Sequence, residues 1–192
     1  MGTVTIGVSI AVPEPHGSEL QELRAGFGDA AAHGIPTHVT LLPPTEVDVG
    51  RLPAIETHLA EVAAAGRPFP MRLSGTGSFR PLSPVVYVRV AAGAEECTWL
   101  QMQVRDGSGP LARDLLFPYH PHVTVAHGID EAGMDRAQEE LAGYEAQWPC
   151  LGFALYEQGQ DGVWRKLREF VFGGAVVPPQ AGARADATLP SA

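Results

Sequence analysis

Two tetrads of one type, His38-Val39-Thr40-Leu41 and His122-Val123-Thr124-Val125, hold the residues best suited to chemistry in this sequence. Each has the order histidine, apolar residue, threonine, apolar residue. With seven histidines among 192 residues, chance would supply roughly 0.1 such tetrads at typical apolar usage. A second copy, about half a chain length after the first, therefore indicates a paired functional element.

The chemistry that suits two histidines is general acid–base catalysis on a phosphodiester. One neutral imidazole takes a proton from the attacking oxygen, and one protonated imidazole gives a proton to the leaving oxygen, without a metal. We therefore predict that His38 and His122 are catalytic. Thr40 and Thr124 are predicted to donate hydrogen bonds to the non-bridging phosphate oxygens, where charge accumulates in the transition state.

Strand geometry explains how a tetrad could serve both a core and a site. Side chains alternate between the two faces of a strand, so the apolar pair enters a core while histidine and threonine share the other face. If a pseudo-twofold axis relates two halves of the molecule, the two histidine–threonine faces meet across a cleft. The alternative is that these are hydrogen-bonded strand histidines and that the threonines are strand formers.

A metal site around His120, His122 and His127 is the competing chemical hypothesis. Pro121 interrupts the strand between the first two, and His127 has the opposite strand parity from His122. The segment also contains no acidic residue, so the pattern does not favour a metal site.

Substrate contacts are predicted at Tyr119, which could stack on a base, and at His127, which could contact phosphate. Phe79 is a second stacking candidate, and Arg80 and Lys166 are candidate sources of positive charge. The alternatives are ordinary packing for the aromatic residues and solvent exposure for the others.

The elements that must position these residues repeat loosely along the chain. Helices are predicted from Ser18 to the Gly34–Pro36 break, around 52–65, over 95–104, and from the cap Asp130 to Leu141. Strands are predicted over 3–12, 37–42, 69–79, 85–90, 122–126, 150–156 and 163–172, the last two as a hairpin.

The order of these elements gives each half a helix, a short strand, a helix and two strands, which is a candidate internal repeat. We predict an α+β fold: a bilobal, pseudo-twofold pair of antiparallel sheets with outer helices and a central cleft. Residues 1–174 would form this single domain. Residues 175–192, rich in Ala and Pro, would form a flexible C-terminal tail.

Composition limits the partners. The net charge is −9 and no run of Lys or Arg is present, so the chain is not predicted to coat long nucleic acid. A small nucleotide or an RNA terminus carrying a phosphoester remains a suitable partner. No apolar stretch approaches the roughly 20 residues of a membrane span, and the N-terminal residues lack a secretory pattern, which predicts a cytoplasmic protein.

No cofactor is predicted. Gly75-Thr76-Gly77-Ser78-Phe79-Arg80 lacks the last glycine of a dinucleotide loop, and the GxxxxGK[ST] and GxSxG motifs are absent from the sequence. Cys97 and Cys150 form no CxxC motif and are predicted to be buried apolar residues.

The two tetrads, with Pro36-Thr37 before the first and Pro121 before the second, resemble those of the two-histidine phosphoesterase superfamily. Within it, the chain is most similar to the 2′-5′ RNA ligase branch, over most of residues 3–173. The resemblance implies a bilobal α+β fold, no metal, and substrates with a 2′,3′-cyclic phosphate or a 2′-5′ linkage, which members hydrolyse or ligate. One departure is that the branch often has Arg shortly after the second tetrad, where this chain has Ala126-His127-Gly128.

The resemblance therefore implies a metal-independent phosphodiesterase, with RNA ligation as its reverse reaction. The alternatives left open by the sequence are a catalytically degenerate protein that binds a nucleotide or an RNA end, and a metal-dependent hydrolase. The sequence does not indicate an oligomeric state.

Overall fold

The computed structural model describes residues 2–173, in which four helices and eight strands alternate in mixed order. The helices are α1 (His16–Gly26), α2 (Leu52–Ala65), α3 (Ala94–Val104) and α4 (Glu131–Glu140). The strands are β1 (Thr3–Ala11), β2 (His38–Asp48), β3 (Phe69–Ser78), β4 (Val85–Ala92), β5 (His122–His127), β6 (Glu145–Cys150), β7 (Gly152–Gln158) and β8 (Trp164–Val171). Two short 3-10 segments, Ala30–Gly34 and Val49–Arg51, precede β2 and α2.

All eight strands form one antiparallel sheet in the order β6-β3-β4-β5-β2-β1-β7-β8. The predicted α+β class is confirmed. The two predicted sheets are the two four-stranded halves of this sheet, and a single residue pair, Val39 with Val123, joins them between β2 and β5. The joint therefore lies where the two tetrads lie.

The internal repeat is present with an adjusted boundary. The chain runs strand, helix, strand, helix, strand twice, from β1 to β3 and from β4 to β6, and the β7–β8 hairpin follows. Strand β6 was not predicted as a separate strand, because Pro149 interrupts its pattern. Since β6 is the edge strand of the sheet, Pro149 sits where a missing N–H is tolerated.

Both predicted boundaries of the first helix are wrong. Helix α1 begins at His16 rather than Ser18, whose N–H and hydroxyl both bond to the Glu14 carboxylate. The helix also ends at Gly26 instead of running to Gly34, since Gly28 adopts φ +105°, a conformation that only glycine takes at little cost.

Strand β2 continues through Pro43-Pro44, where the sequence predicted its end. Two irregularities in its pairing with β1 absorb the extra residues of β2, so the prolines occupy positions that do not interrupt the ladder. The continuation matters because Pro43 and Pro44 line a pocket beside His38.

The core follows the predicted alternation of each tetrad. Val39, Val123 and Val125 have no exposed surface, and Leu41 is 1% exposed. Cys97 and Cys150 are free and buried, as predicted. The predicted tail, 175–192, lies outside the described residues. Among residues 2–173, every helix is too short or too polar to cross a bilayer.

Candidate active site

The pairing of β2 with β5 brings the two tetrads side by side. Val39 lies opposite Val123, and extending this register by one residue sets His38 opposite Thr124 and Thr40 opposite His122. Directly opposed Cβ atoms are about 4.5–5.5 Å apart and diagonal ones about 7–8 Å, so all four side chains border one small area. The two histidines occupy one diagonal of this area and the two threonines the other.

The two imidazoles are oriented by equivalent hydrogen bonds. Nδ1 of His38 lies 2.6 Å from the Pro36 carbonyl oxygen, and Nδ1 of His122 lies 2.7 Å from the His120 carbonyl oxygen. A carbonyl oxygen only accepts, so these contacts assign the proton of each neutral ring to Nδ1. Each Nε2 is left free to accept or carry a proton at the site.

The electrostatic environment favours neutral rings in the unliganded protein. Burial lowers the pKa of His38 below 6.5, and the charge of Arg24 adds to this against the hydrogen bond to Pro36. Burial also lowers the pKa of His122; the hydrogen bond to His120 opposes this, and the charges of His120 and His38 add to it. A positive charge on His38 therefore makes protonation of His122 harder.

The threonines of the tetrads are available to a ligand. Among residues 2–173, neither the Thr40 nor the Thr124 hydroxyl has a protein hydrogen-bond partner, although both residues are partly exposed. Other threonine hydroxyls of the protein donate to carbonyl oxygens, namely those of Thr37, Thr45, Thr57, Thr76 and Thr98. Thr40 and Thr124 can therefore donate to phosphate oxygens without breaking an internal bond.

An aromatic wall fixes His122 from the side of β4. The Phe79 ring meets the imidazole edge-on with centroids 4.9 Å apart, and the Tyr87 ring lies 5.4 Å away. Tyr87 is held over Gly77, where an added Cβ would approach its hydroxyl oxygen to 2.6 Å. Phe79 thus packs against His122 in this structure, which is the packing alternative to base stacking.

A pocket opens on the other side, next to His38. His38 and Thr40 form one wall, and its volume including the open mouth is about 510 Å³. Trp164 packs so closely over Gly7 that a Cβ at position 7 would lie 3.2 Å from the indole ring. The remaining lining residues are mostly apolar or aromatic: Val8, Ser9, Ile35, Pro36, Leu42, Pro43, Pro44 and Tyr156.

Sequence reasoning missed this pocket. Trp164 and Tyr156 come from the β7–β8 hairpin, more than a hundred residues after His38. The two-residue period of β7 places Leu155 and Tyr156 on opposite faces, but Phe153 to Tyr156 are all apolar or aromatic and all buried, so the sequence carried no signal of which face meets the site. Pairing of Gly7 with Tyr156 across β1 and β7 then sets the ring beside the site.

Tyr119 lies behind the area bordered by the tetrads. Its hydroxyl donates to the Thr40 carbonyl oxygen at 2.7 Å, and its ring packs on the core. Burial raises the pKa of this phenol, with a further contribution from Cys97. The placement favours a role in positioning β2 over the predicted contact with a base.

His127 lies on the same face as the tetrad histidines, contrary to its predicted parity. The β4–β5 register shifts between Val86 and Tyr87, so that Val125 and Ala126 are both fully buried and His127 pairs with Val85. The side chain of His127 is exposed at the far end of β5 from His122. Contact with substrate phosphate remains a prediction for this residue.

Asp29 anchors the end of β5 and the segment before β2. Its carboxylate accepts from Arg24 Nε at 2.7 Å, from the His127 N–H at 3.1 Å and from the Ala31 N–H at 3.1 Å. Asp29 and Arg24 are buried. A buried ion pair thus ties α1 to the end of β5 and to the 3-10 segment that precedes β2.

The other predicted sources of charge are engaged elsewhere. Arg80 forms ion pairs with Glu131 at 2.7 Å and Asp135 at 2.9 Å, which fasten the β3–β4 loop to α4. Lys166 pairs with Glu169 at 3.3 Å. Within residues 2–173, no group of three or more His, Cys, Asp or Glu side chains is arranged to hold a metal ion.

Comparison with known proteins gives a consistent family. The sequence model of the family described as the 2′-5′ RNA ligase superfamily matches residues 12–162. A protein of Bacillus cereus (strain AH820) that bears the name phosphoesterase is 29% identical over 143 residues, covering 72% of this chain and 80% of that protein. A phosphoesterase by name from Bacillus thuringiensis (strain Al Hakam) shows the same identity and coverage.

Solved structures share the fold. TT0787 of Thermus thermophilus superposes with a TM-score of 0.60 at 23% identity, over 88% of this chain and 98% of that one. LigT of E. coli, in its complex with ATP, gives a TM-score of 0.62 at 22% identity, over 89% and 99% of the two chains. At these identities the likeness is one of fold.

Proposed function

This chain belongs to the 2′-5′ RNA ligase superfamily, and from that premise we propose that it is a metal-independent phosphodiesterase that uses His38 and His122 as its acid–base pair. Its substrates are a 2′,3′-cyclic phosphate or a 2′-5′ linkage in a nucleotide or RNA. The observation that carries the proposal is the pairing of β2 with β5, which borders one area with two histidines and two unbonded threonines.

The proposed reaction balances without a metal. The Nε2 of one neutral histidine takes a proton from water, and the water oxygen bonds to phosphorus. The bond from phosphorus to the 2′- or 3′-oxygen breaks, and the other histidine gives its Nε2 proton to that oxygen. The products are a phosphomonoester and a hydroxyl. A 5′-hydroxyl in place of water gives the ligation reaction.

The threonines suit the charge that develops. Attack on phosphorus builds negative charge on the non-bridging oxygens, and donors already in position stabilise it without reorganisation. Thr40 lies opposite His122 and Thr124 opposite His38, so one hydroxyl is available on each side of a phosphate held between the histidines.

The pocket beside His38 supports a nucleoside substrate. A base is flat and apolar on its faces, and Trp164, Tyr156 and the two prolines offer a matching lining. E. coli LigT, which shares the fold, has been crystallised with 3′-AMP, ATP, NADP+ and phosphate. All are phosphates, and three of them carry bases.

The experiment is a substrate screen of the purified protein in EDTA. Nucleoside 2′,3′-cyclic phosphates, 2′-5′ dinucleotides, RNA ending in a cyclic phosphate, and base-free ribose 2′,3′-cyclic phosphate are incubated and resolved by chromatography. We expect turnover of nucleoside cyclic phosphates in EDTA, with a lower KM than for the base-free ester. Activity abolished by EDTA indicates the metal hydrolase, and binding without turnover indicates the degenerate binding protein.

A further inference from the structure

The positive charge that a phosphate-binding site requires is missing from the four tetrad side chains. Both histidines have a lowered pKa, and threonine is neutral. The residues that follow the second tetrad, Ala126-His127-Gly128, add no arginine or lysine. A phosphodiester anion would therefore enter a mainly neutral site on a protein of net charge −9.

Strand β4 brings an arginine to this site from the neighbouring strand. Arg89 pairs with His122, Val88 with Val123 and Tyr87 with Thr124. Directly opposed residues of adjacent strands share a face. Val88 and Val123 are both fully buried, so Arg89 and His122 belong to the opposite face, where the Tyr87 ring already contacts His122.

Arg89 also differs from the other arginines in being unengaged. Of the eleven arginines in the described part of the chain, ten donate a hydrogen bond within the protein. Arg89 makes no hydrogen bond or ion pair to any of residues 2–173 and is exposed. Its guanidinium can bind an anion without giving up an internal partner.

We propose that Arg89 binds the non-bridging oxygens of the substrate phosphate. This inference rests on the proposed function. The β4–β5 spacing of about 4.8 Å is shorter than an extended arginine side chain, so the guanidinium can reach past His122 to a phosphate held between the histidines. A guanidinium stays charged at every working pH and can make two parallel hydrogen bonds to a phosphate.

The position of Arg89 complements that of His127. This face carries two cross-strand pairs, His122 with Thr40 and Thr124 with His38. Arg89 lies next to the first pair, and His127 lies beyond the second pair on the same face. A phosphate bound between these two pairs would thus contact a permanent positive charge, the Arg89 guanidinium, on the side of His122. This predicts that the developing charge is stabilised mainly from β4.

The test compares Arg89→Gln and Arg89→Lys with Arg168→Gln as the matched control. Arg168 is also an exposed strand arginine, but it lies on the helix-covered face and pairs with Glu56 of α2. Steady-state kinetics with a nucleoside 2′,3′-cyclic phosphate and binding of inorganic phosphate by titration calorimetry are measured for each folded variant.

For Arg89→Gln we expect kcat/KM to fall roughly 10- to 100-fold and phosphate affinity to fall comparably, as one or two charge-assisted hydrogen bonds are lost. Arg89→Lys should recover part of both, since it keeps the charge but not the planar fork. Arg168→Gln should match the wild type within about twofold, because exposed ion pairs contribute little.

The two readouts separate the failure of this inference from that of the proposed function. If the wild type turns over the ester and Arg89→Gln is as active as Arg168→Gln, the role of Arg89 is overturned and the proposed function is left intact. Absence of turnover with phosphate binding weakened only in the Arg89 variants removes the function and retains the anion contact. A wild type that neither turns over the ester nor binds phosphate overturns both.

Discussion

At the scale of single residues, the site depends on two imidazoles that share one arrangement. Each Nδ1 bonds to the carbonyl oxygen two residues earlier in the chain, so each Nε2 is left without a hydrogen-bond partner among residues 2–173. The equivalence means that either ring can serve as base or acid. The orientation of the bound ester decides which one does, because the acid must face the leaving oxygen.

Replacing either histidine should disable turnover. His38→Ala or His122→Ala is expected to lower kcat by a factor of roughly 10² or more, the usual contribution of a positioned acid or base. The double variant should be far less than additive, because a site that lacks one proton carrier is already largely inactive. Thr40→Ala and Thr124→Ala should cost less, since water can partly replace a hydroxyl.

The measurement is turnover of a nucleoside cyclic phosphate in EDTA, with folding checked by circular dichroism. His33→Ala is the control, since His33 is exposed on the 3-10 segment and does not line the pocket beside His38. A folded His38→Ala protein with full activity would remove the acid–base assignment.

The pH dependence of the rate should follow the lowered histidine pKa values. The active form has one neutral and one protonated ring, so the rate rises and then falls with pH, and the two limbs belong to the coupled pair. Because both pKa values lie below 6.5 in the free protein, kcat/KM should be highest below pH 6.5 and decline as pH rises. A bound phosphate anion favours the imidazolium, so the kcat profile should peak at higher pH.

These profiles are obtained from initial rates across the acidic and neutral range, in buffers free of phosphate. NMR titration of the two imidazoles, with and without inorganic phosphate, gives an independent check. A maximum of kcat/KM on the alkaline side of 6.5 would contradict the assigned environment.

At the scale of elements, the site is made precise by what holds the two central strands. Strand β5 ends at a buried carboxylate, and β2 begins where Thr37 donates to the Gly17 carbonyl oxygen at 2.6 Å. Both anchors lead to the α1 region. The helix therefore sets how the two tetrads approach each other, although it adds no side chain to the pocket beside His38.

Removing the Asp29 carboxylate should destabilise the fold strongly. Asp29→Ala leaves Arg24 as a buried charge without its partner and two N–H groups without their acceptor. We expect a loss of about 3–5 kcal/mol in the free energy of unfolding, measured by urea denaturation. Glu56→Gln, which breaks the exposed pair with Arg168, should cost about 1 kcal/mol or less. Equal effects of the two variants would contradict the anchoring role.

At the scale of the whole molecule, the first strand and the β7–β8 hairpin lie in the same half of the sheet. Strand β1 lies between β2 and β7, so the β7–β8 hairpin pairs with the strand that lies next to His38 of β2. Phe172, just after β8, is 2% exposed and packs 6.0 Å from Phe69 and 6.1 Å from Phe153, measured between ring centroids. The domain thus needs the chain at least through Phe172.

Two truncations should separate the domain from the residues that follow it. A chain ending at Gly174 is expected to melt within a few degrees of the full chain, since the removed residues, rich in Ala and Pro, carry no apolar periodicity. A chain ending at Val171 loses the buried Phe172 ring and should lose about 3–5 kcal/mol of stability. Thermal melting of both proteins is the measurement, and a large loss for the first would show that residues after Gly174 stabilise the domain.

The sequence by itself determined the candidate site residues and the local faces. The His-x-Thr-x order repeats at His38 and His122, and the two-residue period of a strand is enough to separate a buried valine from a site-facing histidine. Helix α2, with its stripe from Leu52 to Val62 and its end at Gly66, and α4, with its cap Asp130, were predictable for the same reason. Each depends on neighbours within a few positions along the chain.

Only the tertiary structure decided which distant residues join the site. Arg89, Trp164 and Tyr156 reach it through strand pairing, and a shift of one residue in register would turn each to the other face. The irregularity that turns His127 to the site face depends on β4, not on β5 alone. Likewise, Tyr119 meets Thr40 only because β5 lies beside β2. Register and strand order arise from pairing between segments far apart in sequence, so no local pattern could specify them.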